Sequence, residues 1–154
     1  MIQRDIASVL QIDSHSFKES WGAAELTHFR RQQNTVPLIV EDANEVVGFM
    51  LLWMNKRSIL LERIAIHHLH RRKGIGALLL DRVKQKTSSD VRRSIIYHCD
   101  EMDLSAQLFL KASGFKACAV IHDHFEDGSA AYRFEWWHPS VAHARPESRA
   151  ASRP

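Results

Sequence analysis

The sequence predicts a single mixed α/β domain, and three observations carry that expectation. Short apolar runs of strand character alternate with stretches whose apolar residues recur at helical spacing. The 154 residues, 45% hydrophobic and 25% charged, suit one core rather than two. No run approaches the roughly 18 apolar residues of a membrane span, and Met1-Ile2-Gln3-Arg4-Asp5 lacks the apolar stretch and cleavage site of a signal peptide.

Taken in order, residues 5–17 read as a helix, with Ile6, Val9, Leu10 and Ile12 in one stripe. Residues 22–32 read as a second helix, carrying Leu26 and Phe29. Residues 37–40 form a short strand, and Glu41-Asp42-Ala43-Asn44 a turn. The next strand is 46–54, turned back by Asn55-Lys56-Arg57. Residues 59–66 read as a strand too apolar to face water on either side. Leu78, Leu79, Leu80 and Val83 then give a helix ending near Lys86. Residues 94–99 are a buried strand, and 104–113 a helix stopped by Gly114. Residues 115–121 and 130–137 make an antiparallel pair joined through Glu126-Asp127-Gly128. The expected order is β-α-α-β-β-β-α-β-α-β-β, which puts a leading strand ahead of residue 5. The domain spans 1–137, and 138–154, rich in Pro, Ser, Ala and Arg, reads as a disordered tail.

Composition narrows the function classes. Of a formal net charge of +3, most belongs to the tail, where Arg145, Arg149 and Arg153 face Glu147 alone. The remaining body does not advertise nucleic-acid binding. Cys99 and Cys118 lie within apolar stretches and outside any Cys-x-x-Cys pair, so they read as buried reduced thiols in a cytoplasmic protein. His67, His68, His70, Arg71, Arg72 and Lys73 crowd together and mark a site for an anion. His122 and His124 share one face of a strand in this reading. No set of three or four histidines, cysteines or carboxylates falls at zinc spacing, so no metal is expected.

The segment 71–76, Arg-Arg-Lys-Gly-Ile-Gly, follows the strand and opens a helix. Glycines at 74 and 76 clear side chains from a helix N-terminus whose N–H groups and dipole favour an anion. A dinucleotide fingerprint needs a third glycine where Leu79 stands, and a P-loop needs Gly-Lys-Ser/Thr. The segment resembles the Gln/Arg-x-x-Gly-x-Gly/Ala signature of the GNAT N-acetyltransferase family. Residues 105–115 resemble that family's fourth-helix motif, Ala-x-x-Leu/Phe-Tyr followed by Gly-Phe. The spacing is most similar to that of the N-terminal acetyltransferases of the ribosomal-protein-alanine type, and Phe17 with Ser20-Trp21 resembles their first-helix signature.

The resemblance implies a GNAT fold, a mixed sheet of about six to seven strands flanked by about four helices. It implies acetyl transfer from acetyl-CoA to a primary amine, the amino group of a peptide or protein N-terminus, by direct attack in a ternary complex. Ile64, Ala65 and Ile66 correspond to the strand that pairs with the pantetheine arm. Arg71, Arg72, Lys73, Gly74, Ile75, Gly76 and Ala77 correspond to the pyrophosphate turn, with the loop histidines flanking it. Asp103 stands where relatives often have a cofactor-contacting Asn. By register, the base is His98; Glu62 is its rival. Against these stand a histidine bonded to neighbouring backbone, and a Glu62 ion pair with Arg63 or another cation. Where relatives carry a tyrosine acid, this chain has Leu110, with Tyr97 and Tyr132 as possible substitutes, although Tyr97 alternates away from His98. The other readings are a non-catalytic acyl-CoA-binding module and an acetyltransferase for a small amine or a lysine side chain. Neither nucleic acid nor membrane is expected as a partner, and the chain is expected to be a monomer or homodimer.

Overall fold

The computed structural model describes residues 1–142. Helices α1 (Ile6–Ser14) and α2 (Ala23–Arg31) come first, followed by strands β1 (Thr35–Asp42), β2 (Glu45–Met54) and β3 (Ser58–Ile66). Then come α3 (Ile75–Lys84), β4 (Ser94–Asp100), α4 (Leu104–Ala112), β5 (Lys116–Ile121), β6 (Ala131–Trp137) and a short α5 (Pro139–Ala142). The strands form one sheet in the order β1-β2-β3-β4-β6-β5. Only β3 and β4 run parallel.

Two layers cover this sheet. The stripe Ile6, Val9 and Ile12 of α1, with Leu26 and Phe29 of α2, packs on Phe49, Leu51 and Ala65. The opposite face, with Met50, Leu52, Ile59 and Leu61, is covered by Leu79, Leu80 and Val83 of α3 and Leu110 of α4. The α2 start is set by Gly22, whose N–H donates to Glu25 Oε2 at 2.9 Å. Among the described residues no helix is long and apolar enough to cross a membrane.

β3 departs from the uniform apolar strand expected. Its residues alternate between buried and half-buried. Against β2, Leu51 pairs with Arg63 but Leu52 pairs with Leu61, so Glu62 is an extra residue, a β-bulge. The bulge reverses which side chains face which layer. Ile59 and Leu61 before it, and Ile64 and Ile66 after it, pack toward α3 and α4, whereas Ala65 packs toward α1 and α2. Pairing with β4 covers only Ser58 to Leu61 opposite Ser94 to Tyr97. Beyond that point the two strands have no mutual register.

Other differences are local. No leading strand forms among the described residues: the Ile2 N–H donates to Asp5 Oδ2 at 2.5 Å and the Asp5 N–H to the Ile2 carbonyl at 3.1 Å, which coils the start into a tight turn. The first helix ends at Ser14 rather than 17, because the N–H groups of Ser16 and Phe17 both turn back to the Asp13 carbonyl. β5 ends at Ile121, which leaves His122 and His124 in the following loop rather than on one strand face. Cys99 is buried, and burial pushes its thiol up to about 12. Cys118 is exposed instead of buried, because edge strand β5 is uncovered along nearly all its length. Of the expected tail, 138–142 includes α5 and the rest lies outside the described residues.

The pair Asp13–Arg63 joins α1 to β3. Arg63 Nη1 donates to Asp13 Oδ2 at 2.8 Å, and the two residues are 9% and 2% exposed. Burial raises the Asp13 carboxyl, opposed by the Trp21 N–H and by Arg63. Truncating one partner strands the other charge in the interior, which typically costs about 3–5 kcal/mol. Arg63→Leu should therefore lower the unfolding free energy by about that amount, read from the midpoint of urea denaturation at constant slope.

Candidate active site

The bulge and the end of β3–β4 pairing create a wedge between the two strands. Because backbone groups alternate sides along a strand, the direction of each amide follows from one bond. The His67 N–H donates to the Val47 carbonyl at 2.8 Å, toward β2. Ala65, opposite Phe49, therefore also turns its backbone to β2. Ile64 and Ile66 turn theirs into the wedge, where neither has a β4 partner and the Ile66 carbonyl is taken by Arg71, so their N–H groups form an open strand edge for an extended ligand. The Ala65 side chain packs into the core under α1 and α2.

The glycine turn closes one end of this wedge. Gly74 sits at φ +82°, in the left-handed region, with open space where a Cβ would stand. Gly76 is needed for room: a Cβ there would lie 3.0 Å from the Phe109 ring of α4. No side chain caps α3, so the N–H groups of Ile75, Gly76 and Ala77 remain free for an anion. Arg71 is used differently from its neighbours. Its Nε donates to the Ile66 carbonyl at 2.9 Å and its Nη2 to Ser16 Oγ at 3.1 Å, which ties the turn to β3 and to the loop after α1. Arg72 (φ +62°) and Lys73 are exposed beside the turn and supply positive charge. His67, half-exposed, accepts the Leu69 N–H at 3.3 Å, and His68 stacks on it at 4.4 Å. Among the described residues no group of three or more His, Cys, Asp or Glu is placed to hold a metal ion.

A cleft of about 380 Å³ opens at the wedge, and Glu62, Tyr97, His98, Asp103 and His124 line it. His98 follows the last β3–β4 pair and is half-buried. Burial, then the His124 ring at 5.0 Å, then Arg133, push its imidazole below its ordinary value. Its imidazole is thus neutral near pH 7. Glu62, on the bulge, makes no salt bridge to any described residue, because Arg63 is committed to Asp13. Tyr97 alternates with His98 yet still lines the cleft, and burial pushes its phenol up and keeps it protonated. Tyr132 packs against the core cluster that holds Leu110, itself 1% exposed. Asp103 is the N-cap of α4, accepting the Ala106 N–H at 2.9 Å, and its residue also borders the cleft.

Several residues organise the cleft through contacts that the sequence did not reveal, even where, as at Phe17 and Trp21, it marked the residues themselves. Phe17 and Trp21 place their rings 4.5 and 4.6 Å from the Arg63 guanidinium, so the first-helix signature works as a cation sandwich. Arg63 Nη2 also donates to the Glu19 carbonyl at 2.7 Å. Lys18 reaches across the cleft mouth. Its Nζ lies 2.6 Å from Asp100 Oδ2 and 3.1 Å from Asp127 Oδ2, with the Phe125 ring at 4.4 Å. The Asp100 contact is the chief reason its amine is held above its ordinary value. The Glu126 N–H donates to Glu19 Oε1 at 2.6 Å, a second tie between the same loops. A periodicity argument is blind to such contacts, since the partners are about a hundred residues apart.

A model of the family described as acetyltransferase (GNAT) family matches residues 6–115. No curated protein matches the sequence. Among solved structures, Ard1 from Thermoplasma volcanium superposes with a TM-score of 0.80 at 23% identity, covering 89% of this chain and 93% of that one. The ribosomal-protein-S18-alanine N-acetyltransferase of Escherichia coli gives 0.77 at 13% identity, covering 89% and 90%. An aminoglycoside 6'-N-acetyltransferase complexed with coenzyme A gives 0.75 at 14%, covering 95% of each. At these identities the likeness is one of fold.

Two tests follow from the geometry. Gly76→Asp adds bulk against Phe109 and a negative charge at the helix start. It should weaken coenzyme A binding by roughly tenfold or more in calorimetric titration, with circular dichroism unchanged, because like-charge juxtaposition costs several kcal/mol. Lys18→Met should release the loop after β5, seen as faster amide hydrogen exchange in residues 123–129 and not in β4.

Proposed function

We propose that this chain, which belongs to the acetyltransferase (GNAT) family, moves an acetyl group from acetyl-CoA to the N-terminal amine of a peptide, with His98 as the general base. Family membership supplies the enzyme class and the co-substrate. The peptide acceptor and the role of His98 are our reading. The observation that carries it is the parting of β3 and β4 immediately after Leu61 and Tyr97, with a half-buried neutral histidine on the open edge.

Each part of the reaction has a group suited to it. The free N–H groups at the start of α3, with Arg72 and Lys73 beside them, suit the pyrophosphate. The wedge-facing amides of Ile64 and Ile66 suit the amide-bearing arm and can donate to the oxygen that gains charge as the amine attacks. An alkyl amine is mostly protonated at neutral pH and must lose that proton to become a nucleophile. A histidine held below its ordinary value is ready to accept it, directly or through a water. Glu62 borders the same cleft and favours a cationic amine near the base. The leaving thiol has an ordinary pKa near 8.5, so a buried leucine at 110 in place of a tyrosine acid does not prevent reaction. The peptide acceptor is supported by the similarity to Ard1 and to the S18-alanine enzyme, and by a cleft roofed by the loops after α1 and β5.

The pH dependence tests the base. His98 is depressed in the folded enzyme, so its basic form persists below pH 6.5 and is lost only as pH falls through its own lowered value. The acid limb of kcat/KM should therefore lie below about 6.5. His98→Ala should remove that limb and cost about 10²- to 10⁴-fold in kcat. Glu62→Gln should retain the limb. A limb that vanishes in Glu62→Gln and survives in His98→Ala would transfer the role to Glu62.

A further inference from the structure

Next to the cleft lies a second recess of about 500 Å³, lined by Trp21, Glu25, His28, Phe29, Trp53 and Glu62. Trp21 and Glu62 line both spaces, so the recess continues the cleft on the side away from His98. Its floor is Phe29, 2% exposed, with the Trp21 ring 5.6 Å and the Trp53 ring 5.0 Å from it. Trp53 stands half-exposed near the end of β2. Two carboxylates border the aromatic surface. Glu25 is exposed and already accepts the Gly22 N–H, and Glu62 has no salt bridge among the described residues.

We propose that this recess binds a lysine or arginine side chain on the second residue of the acceptor peptide. The inference rests on the proposed acetylation of peptide N-termini. A long cationic side chain has an apolar stem and a charged head. The stem matches the faces of Trp53 and Phe29, and the head matches Glu62 and the π-face of Trp53. One face of Trp21 is already occupied by Arg63, so Trp53 is the ring left to meet a new cation. The recess adjoins the cleft and shares Glu62 with it, while His98 lines only the cleft. That places its occupant one residue beyond the acetylated one. A purely apolar side chain would fill the same volume and leave Glu62 facing it without a counter-charge, which costs binding.

The test compares kcat/KM on heptapeptides that begin with Ala, Ser or Met and carry Lys, Arg, norleucine or Glu second, with spermidine as a further acceptor. Lys and Arg should exceed norleucine by about tenfold, and Glu should fall below norleucine. Trp53→Leu should reduce the Lys-to-norleucine ratio to within about twofold, while Trp53→Phe, which keeps a ring, retains most of it. Equal rates for Lys and norleucine, or a ratio untouched by Trp53→Leu in folded protein, would overturn the assignment and leave the peptide reading standing. Spermidine turned over faster than every peptide, or no peptide turned over at all, would sink the peptide reading and this inference with it.

Discussion

Everything that makes this sheet a site depends on one extra residue in β3. Glu62 has no partner on β2, so the strand bends there, and the register with β4 ends one residue earlier. Had β3 and β4 stayed paired to their ends, their amides would have satisfied each other and no edge would be available. The bulge thus changes hydrogen-bonding groups from structural to functional without altering their chemistry. It also places a carboxylate at the point where the strands part.

A bent strand must be held, and Arg63 does so directly after the bulge. Its guanidinium is bonded to Asp13 and to the Glu19 carbonyl and lies between two aromatic rings. A lysine could not repeat this, because it lacks the planar fork that bonds in two directions while stacking. Through Asp13, which also accepts the Trp21 N–H at 2.7 Å, the same residue fixes the loop that roofs the cleft. Lys18 and Glu19 carry that loop on to the loop after β5. The roof is therefore secured at both ends, and the cleft is bounded by loops pinned to the sheet.

Much of this was legible in the chain itself. The apolar stripes located α1 to α4 with small errors at their ends, because burial imposes a period that survives in sequence. The glycines at 74 and 76 announced an anion site, one through a positive φ and the other through crowding by Phe109. The bulge was hidden, since Leu60-Leu61-Glu62-Arg63-Ile64 reads as one apolar strand with two charges in it. Whether Arg63 belonged to Glu62 or to a distant acid could not be decided from adjacency. The exposure of Cys118 was likewise hidden, because a small apolar residue on an edge strand looks the same in sequence as one in a core.

By itself, the sequence determined the family, the α/β architecture and the glycine turn that opens α3, because each rests on local spacing and on side chains acting near their own backbone. Only the tertiary structure decided that Ala65 turns away from the wedge, that Arg71 braces the turn, and that Lys18 spans the cleft mouth. It also decided that the His98 imidazole is held below its ordinary value. His98 differs from nine other histidines in no local feature of the chain. Its proton affinity falls because strand β4 carries it into a half-buried place beside His124 and Arg133, and desolvation is a property of surroundings that only folding assembles.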